Sequence, residues 1–331
     1  MLLDEPKSGM VSFSGGKDSC AMLIELLRLW YEEGERDLPV TRIVFADTDF
    51  EFPELYEYIA KIEKYIQERF NPDLKVEFVK SPRSWDDWFY GEITRGANKG
   101  KQRGAPLRAY PCWWARESKV QPLQKAGKNE DIIYIGIAKD EEHRTRNSGK
   151  MGKSGKEHTE DPRNARNRYP LVEWEWTEQD CFDYLDDLGL MNELYVNFTR
   201  LGCFHCIKQP PDAWWGVWRG YPELWEIAKE WDKESLRISN HGLRSMKEGD
   251  GWTLEEMEAR FKAGEVPKSR TKFDCASCDA VRFVAEGQMT LADFVDSDDN
   301  AHERMGLIDE ETPACDIVWG ADESDDADKG G

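Results

Sequence analysis

VSFSGGKDSC, residues 11–20, joins a short apolar run to the start of a helical pattern. Met10, Val11 and Phe13 read as the end of a strand. SCAMLIELLRLWYEEG, from Ser19, spaces its apolar residues as a helix that Gly34 stops. A serine–glycine turn between strand and helix aims backbone N–H groups and the helix N-terminus at one point, which suits phosphate. Gly15 and Gly16 allow the backbone to approach an anion closely. Lys17 adds a full positive charge on what reads as an exposed turn, with Ser14 or Asp18 as N-cap. A Gly-Gly pair alone would fit an ordinary turn; lysine, aspartate and flanking serines together favour a phosphate site. The Walker pattern G-x-x-x-x-G-K-[ST] is absent, because Asp18 follows Lys17 and no glycine lies five residues before Gly16. Kinase and GTPase readings lose their main support.

Outward from this loop, strand-like and helical runs alternate: strand 10–13, helix 19–33, strand 40–46, helix 53–69, strand 74–79, helix 112–126 and strand 131–138. This order predicts an α/β fold, a parallel sheet flanked by helices, with a mostly helical C-terminal part. The expected division is a nucleotide-binding α/β domain over 1–175, a helical cysteine-containing region over 176–295 and an acidic, partly disordered tail over 296–331. Ligands of such sheets bind beyond the carboxyl ends of the strands. The loop, ADTDFEFPE (46–54) and GIAKDEEHR (136–144) all follow strands and should converge there. Trp214, Trp215, Trp218, Trp225 and Trp231 recur at helical spacing after Pro210 and Pro211, which favours core packing over base stacking.

The net charge of −21 argues against a uniformly basic nucleic-acid-binding surface. It is unevenly spread: residues 296–331 hold thirteen acidic residues against Arg304 and Lys329. Segments 95–108 and 144–156 each carry five basic residues and no acidic one, and read as mobile Gly-rich loops. They are either solvated surface or loops that close over an anionic substrate. No run of 18 apolar residues exists and the mean hydropathy is −0.75, so no membrane span is expected. No basic start followed by an apolar core suggests a secretory signal. Eight cysteines then read as metal ligands or reactive thiols in a reducing cytoplasm.

The loop resembles the SGGxDS loop of the PP-loop ATP pyrophosphatases, of adenine nucleotide alpha hydrolase-like fold, which cleave ATP between its α- and β-phosphates. Further segments, in order, resemble the phosphoadenosine phosphosulfate (PAPS) reductase branch of that superfamily. FADTDFEFPELYEYI (45–59) is similar to D-T-G-x-x-F-P-E-T through Asp47, Thr48, Phe52, Pro53 and Glu54, with Asp49 in place of the glycine. PCWWARESKVQPLQKA (111–126) resembles C-C-x-x-R-K-x-x-P-L, with Cys112, Lys119, Pro122 and Leu123 in register and Pro111 in place of the first cysteine. IGIAKDEEHRTR (135–146) resembles G-x-R-x-x-E-S-x-x-R through Gly136, Glu141 or Glu142, and Arg144. Residues 169–195 follow P-L-x-x-W-T-x-x-D-V-x-x-Y-I, and LGCFHC (201–206) follows G-C-x-x-C. The resemblance covers about residues 8 to 210.

Cys20 and Cys181 fall in helical patterns and read as small buried hydrophobes. Cys203 with Cys206 and Cys275 with Cys278 form two C-x-x-C pairs, a four-thiolate signal for Zn²⁺ or an iron–sulfur cluster. His205 reads as a solvated spacer. The resemblance instead implies a [4Fe–4S] cluster built on Cys112, Cys203 and Cys206, with the Cys275–Cys278 pair supplying the rest; Zn²⁺ is the alternative.

The resemblance implies a cytoplasmic ATP-binding transferase that adenylates a substrate for sulfur transfer. Nucleic-acid thiolation or phosphorothioation is the natural target class, so the partners would be ATP, a sulfur donor protein or sulfide, and tRNA or DNA. Ser14, Gly15, Gly16, Lys17, Asp18 and Ser19 would hold the β,γ-phosphates as a Mg²⁺ complex, with Lys17 and Asp18 the catalytic pair. Asp47 and Gly136 would line the adenosine, and Arg144 would pair with a phosphate. A reductase of adenylylated sulfate is the first alternative. Against it, the pyrophosphate loop is intact and Cys315, in ETPACDIVWG, lacks the E-C-G-x-H setting of a reductase nucleophile. A non-catalytic nucleotide-binding module with structural zinc is the second.

Overall fold

The computed structural model describes residues 8–95, 98–108, 111–142, 145, 166–245, 249 and 251–267. These form two compact units, the first drawn from Met1–Pro82 and Trp114–Asn192, the second from Arg83–Trp113 and Glu193–Gly331.

The first unit holds the sheet. Strands β1 (Gly9–Phe13), β2 (Arg42–Asp47), β3 (Val76–Lys80), β4 (Ile132–Ile135) and β5 (Asn167–Arg168) lie in the order β3-β2-β1-β4-β5. Every pairing is parallel, with Phe13 opposite Phe45 and Ser12 opposite Ile135. The expected parallel sheet flanked by helices is therefore present. β5, two residues long, has no sequence signal of its own.

Helix α1 (Lys17–Arg28) runs on through a π turn, Leu29–Glu33, and stops at Gly34 in the left-handed region (φ 75°). Every residue from Cys20 to Leu27 is buried, so α1 is a core helix rather than an amphipathic surface one. Its one acidic side chain in that run, Glu25, is held by Arg28 (2.6 Å) and the Tyr184 hydroxyl (3.0 Å). Helix α2 (Pro53–Arg69) coincides with the expected 53–69, because Pro53 stands in the first turn, where its missing N–H costs nothing.

The second unit is helical. Its short helix α3 (Trp85–Phe89), closed by a Ser84–Asp87 capping box, is absent from the sequence reading. The expected helix 112–126, which from Trp114 onward belongs to the first unit, is built as Trp113–Ala115, a π turn Arg116–Val120 and Gln121–Ala126, together α4. Helices α5 (Pro170–Glu173) and α6 (Glu178–Asp187) belong to the first unit. Helices α7 (Pro211–Gly220), α8 (Pro222–Ser239) and α9 (Leu254–Lys262) belong to the second. Trp214 and Trp225 are fully buried and meet edge-to-face at 6.2 Å, and Phe261 packs on Trp218 and Trp225. Trp214, Trp215 and Trp225 are core, as the spacing implies, while Trp218 and Trp231 are partly exposed. Buried Asp232 accepts from the backbone N–H groups of Leu243 (2.6 Å) and Leu254 (2.8 Å), tying α8 to the start of α9. Among the described residues, no helix is long and apolar enough to cross a membrane.

Candidate nucleotide site

The loop Ser14–Ser19 connects β1 to α1. Gly16 is the N-cap and no side chain caps it, so neither Ser14 nor Asp18 plays the capping part expected of it. The serines brace the loop instead. The Ser14 N–H donates to Ser19 Oγ (3.1 Å), the two hydroxyls meet at 2.8 Å, and the Gly16 N–H donates to Ser14 Oγ (3.3 Å). Gly15 takes φ +69°, a backbone conformation that favours glycine, and a Cβ there would press on Leu55 Cδ1 at 2.7 Å unless that side chain shifted. The helical ladder begins only at the Cys20 N–H to Gly16 carbonyl bond (3.0 Å), placing the first-turn amides at the carboxyl edge of the sheet.

Lys17 is not exposed, contrary to the sequence reading: only 4 % of it meets solvent. Its Nζ lies 2.8 Å from Glu178 Oε2 and 3.1 Å from Asp18 Oδ1. Glu178 is the functional residue the sequence reading missed. It opens α6 directly after Thr177, whose hydroxyl and Asp180 form a capping box, so the T-x-x-D of the resemblance is a helix start that presents Glu178. The Glu178 N–H donates to Asp140 Oδ1 (3.2 Å), joining 139–142 to the same corner.

Burial pushes the Asp18 carboxyl up to about 6; Lys17 opposes the shift, and the charges of Glu178 and Glu141 add to it. A carboxyl raised in the folded state costs nothing below its unfolded pKa near 4 and its full penalty above about 6. Asp18→Asn is therefore expected to raise the melting temperature at pH 8, with the gain shrinking towards pH 5, while pyrophosphate release falls. Thermal melts at the two pH values check this; an equal gain at both would detach it from ionisation.

Asp47 ends β2, with 5 % exposure. Burial would raise its pKa, but the Asp49 N–H (2.9 Å), the Tyr56 hydroxyl (2.8 Å) and Lys80 (3.0 Å) outweigh it and hold Asp47 below the usual range. Asp49, which replaces a glycine of the resemblance, keeps a left-handed backbone (φ 64°), a conformation aspartate tolerates better than most residues. Gly136 follows β4 and lies against the loop: a Cβ would come within 2.8 Å of Ser19 Cα and 2.9 Å of Ser19 N. The sheet thus brings residues 14–19 and Gly136 together, with Asp47 leaving the same edge. Arg144 lies outside the described residues.

Cys20 is buried and takes a bond from the Tyr58 hydroxyl (3.1 Å); burial pushes its thiol up to about 12, and that of Cys181 up as well. Both are the inert core thiols expected. Cys112, Cys203 and Cys206 are partly exposed and fall in the second unit, with Cys203 and Cys206 bracketing a turn closed by Cys206 N–H to Cys203 O (2.9 Å). His205 between them is no solvated spacer. It is 3 % exposed, packed on Trp85 (4.9 Å) and Phe204 (5.0 Å), and burial pulls its pKa down to about 3, which keeps the ring neutral. Among the described residues no three His, Cys, Asp or Glu side chains gather to hold a metal ion. Cys275, Cys278 and the 296–331 tail lie outside the described residues.

The sequence profile of the phosphoadenosine phosphosulfate reductase domain matches residues 8–209, well over half of the chain. The chain belongs to this family. It is 26% identical over 253 residues to an uncharacterized protein of Methanocaldococcus jannaschii, covering 74% of this chain and 44% of that one. It is likewise 26% identical over 176 residues to the adenosine 5'-phosphosulfate reductase of Oceanobacillus iheyensis, covering 52% and 62%. The chain thus spans less than two thirds of the length of either relative. A U34-tRNA thiolase of Methanococcus maripaludis, solved with its [4Fe–4S] cluster, overlays at TM-score 0.37 and 15% identity, over 82% of this chain and 85% of that one. That overlap is too distant to transfer any residue.

Proposed function

We propose that this PAPS reductase-family chain binds ATP at Ser14–Ser19 and cleaves it between the α- and β-phosphates, adenylating an oxygen of a substrate for sulfur transfer. The observation that carries the reading is the intact, internally braced SGGKDS loop, whose lysine is held at the first turn of α1 by two carboxylates. Mg²⁺ arrives with the nucleotide as part of the substrate. The substrate oxygen attacks the α-phosphorus and pyrophosphate leaves. Negative charge builds on that leaving group, where Lys17 and the first-turn amides lower its energy. Sulfide then displaces AMP, which departs with the oxygen; a persulfide on a donor protein would do the same but leave a mixed disulfide, which a second thiol cleaves to the thiolated product and a donor disulfide. Arg144 is assigned to a phosphate and Asp47 to the adenosine on the resemblance alone. ATP and reduced sulfur coexist in the cytoplasm, where we place the reaction.

Protein incubated with ATP, Mg²⁺, sulfide and total cellular nucleic acid should release AMP and pyrophosphate in equal amounts. The named reductase relatives support a second reading. Sulfite release from adenylylated sulfate with a thiol, and no ATP cleavage, would select it.

The finer metal reading is a [4Fe–4S] cluster on Cys112, Cys203 and Cys206 completed by Cys275 and Cys278, with Zn²⁺ as the alternative. What supports it is the pair of C-x-x-C spacings and the resemblance; no step above passes through it. Anaerobically purified protein is expected to be brown, and Cys112→Ser to lose iron. Colourless protein holding one zinc, unaffected by Cys112→Ser, would leave a structural four-cysteine site.

A further inference from the structure

Segment 95–108, which reads from its sequence as a Gly-rich loop, has backbone hydrogen bonds at its described residues. Its described residues belong to a hairpin closed by Ile93 N–H to Lys101 O and Gly100 N–H to Ile93 O (2.9 Å each), with Glu92 bridged to Gln102. Arg103 N–H to Gly91 O and Gly104 N–H to Phe89 O (3.0 Å each) seat it on the end of α3, and Ala105 N–H to Ser235 Oγ (2.8 Å) anchors it to α8. These bonds fix the backbone that carries Lys101 and Arg103.

Several cations elsewhere in this acidic chain are neutralised. Arg28, Arg42, Arg69, Arg168 and Lys80 each rest on a carboxylate. Arg95, Lys99, Lys101 and Arg108 are exposed, and among the described residues no carboxylate pairs with any of them. Beside them, Trp88 carries two guanidinium groups, Arg83 at 4.6 Å and Arg103 at 5.1 Å from the ring centre. Arg103 also lies 5.7 Å from Trp113, which stacks on Trp85 at 5.0 Å. A guanidinium over an aromatic ring remains fully charged, and its positive field attracts phosphate. Arg83 spends one N–H donor on the Asp87 carbonyl (3.1 Å). Over 83–108 the six basic residues outnumber the acidic Asp86, Asp87 and Glu92.

We infer that this hairpin and its arginine–tryptophan stack form a surface for the phosphodiester backbone of a nucleic acid. The cations are spread along an exposed hairpin instead of converging in a pocket, which suits a chain of phosphates better than a single small anion. This names the substrate class of the reaction proposed above and, as a statement about substrate, rests on it; the binding itself is measured without ATP.

Fluorescence anisotropy of labelled single-stranded RNA, single-stranded DNA and duplex DNA, titrated with full-length protein between 50 and 200 mM salt, tests it. The exposed triple variant Arg95→Gln/Lys99→Gln/Lys101→Gln should weaken binding and make the log–log salt slope shallower by about 2 units on single strands, at about 0.7 per contact. Arg103→Gln should weaken binding further. Arg36→Gln removes a comparable stacked arginine, 4.8 Å over Trp30, in the other unit and should change nothing. An unchanged slope in the triple variant overturns the surface. Competition by inorganic polyphosphate as effective, charge for charge, as nucleic acid overturns the assigned partner. Equilibrium ATP binding to the same variants should be unaltered; a parent chain that holds nucleic acid but no ATP would remove the adenylation reading and leave this one standing.

Discussion

Lys17→Ala is expected to abolish pyrophosphate release and also to lower the melting temperature. An exposed loop lysine would be silent in stability. This one is buried between Asp18 and Glu178, so its removal takes from both carboxylates the ammonium they share. Breaking one side of a buried ion pair typically costs about 3–5 kcal/mol. Glu178→Gln separates the two effects. In the background of Lys17→Ala it relieves the uncompensated charge and should recover most of the lost stability without recovering any cleavage. Alone, it frees Lys17 from its shorter partner and should slow cleavage by about an order of magnitude or more through mispositioning of the ammonium. Melting curves and a pyrophosphate assay on the two single variants and the double give the coupling directly. Full ATP cleavage by Lys17→Ala would overturn the assignment of the loop, and additive stability effects would show that the pair does not act as a unit.

Gly136→Ala is expected to cut ATP affinity at least about tenfold. The added methyl would meet Ser19 Cα at 2.8 Å, Ser19 N at 2.9 Å and the Asp18 carbonyl carbon at 3.1 Å, all of them backbone atoms. No side chain can swing aside to make room, so the end of β4 and the first turn of α1 must separate, at about 1–3 kcal/mol. The displaced atoms are the loop's own, which makes binding more sensitive than the fold. Gly202→Ala is the matched control, because a Cβ there meets nothing within 4 Å. Equilibrium ATP binding and melting curves for both variants test the point. Parent-like affinity in Gly136→Ala would leave that close approach with no part in the site.

The order of strands and helices, the α2 boundaries, the glycine-dependent loop and the buried tryptophans were legible in the sequence because each depends on neighbours a few residues away: apolar periodicity, a proline in the first turn, a positive φ. Parallel pairing then follows from the alternation itself, and with it the convergence of residues 14–19, Asp47 and Gly136 on one edge. Burial and partners do not reduce to local pattern. Glu178 reaches Lys17 across 161 residues, and only the packing of α6 on α1 turns an apparently solvated lysine into a buried one. His205 reads as polar and exposed in LGCFHC, yet Trp85, more than a hundred residues earlier, covers it. The glycines of 95–108 read as a loop locally, while Arg103, Gly104 and Ala105 bond to Gly91, Phe89 and Ser235, the last of them 130 residues away. Asp49 shows the converse: a residue that departs from the pattern keeps the glycine-like backbone, because the Asp47 carboxylate accepts its N–H and Lys80 grips both carboxylates. What local spacing determined here is the scaffold and the loop. The charge state, burial and pairing of the groups on it were decided by contacts between segments far apart in the chain, where desolvation and Coulomb energy depend on every neighbour at once.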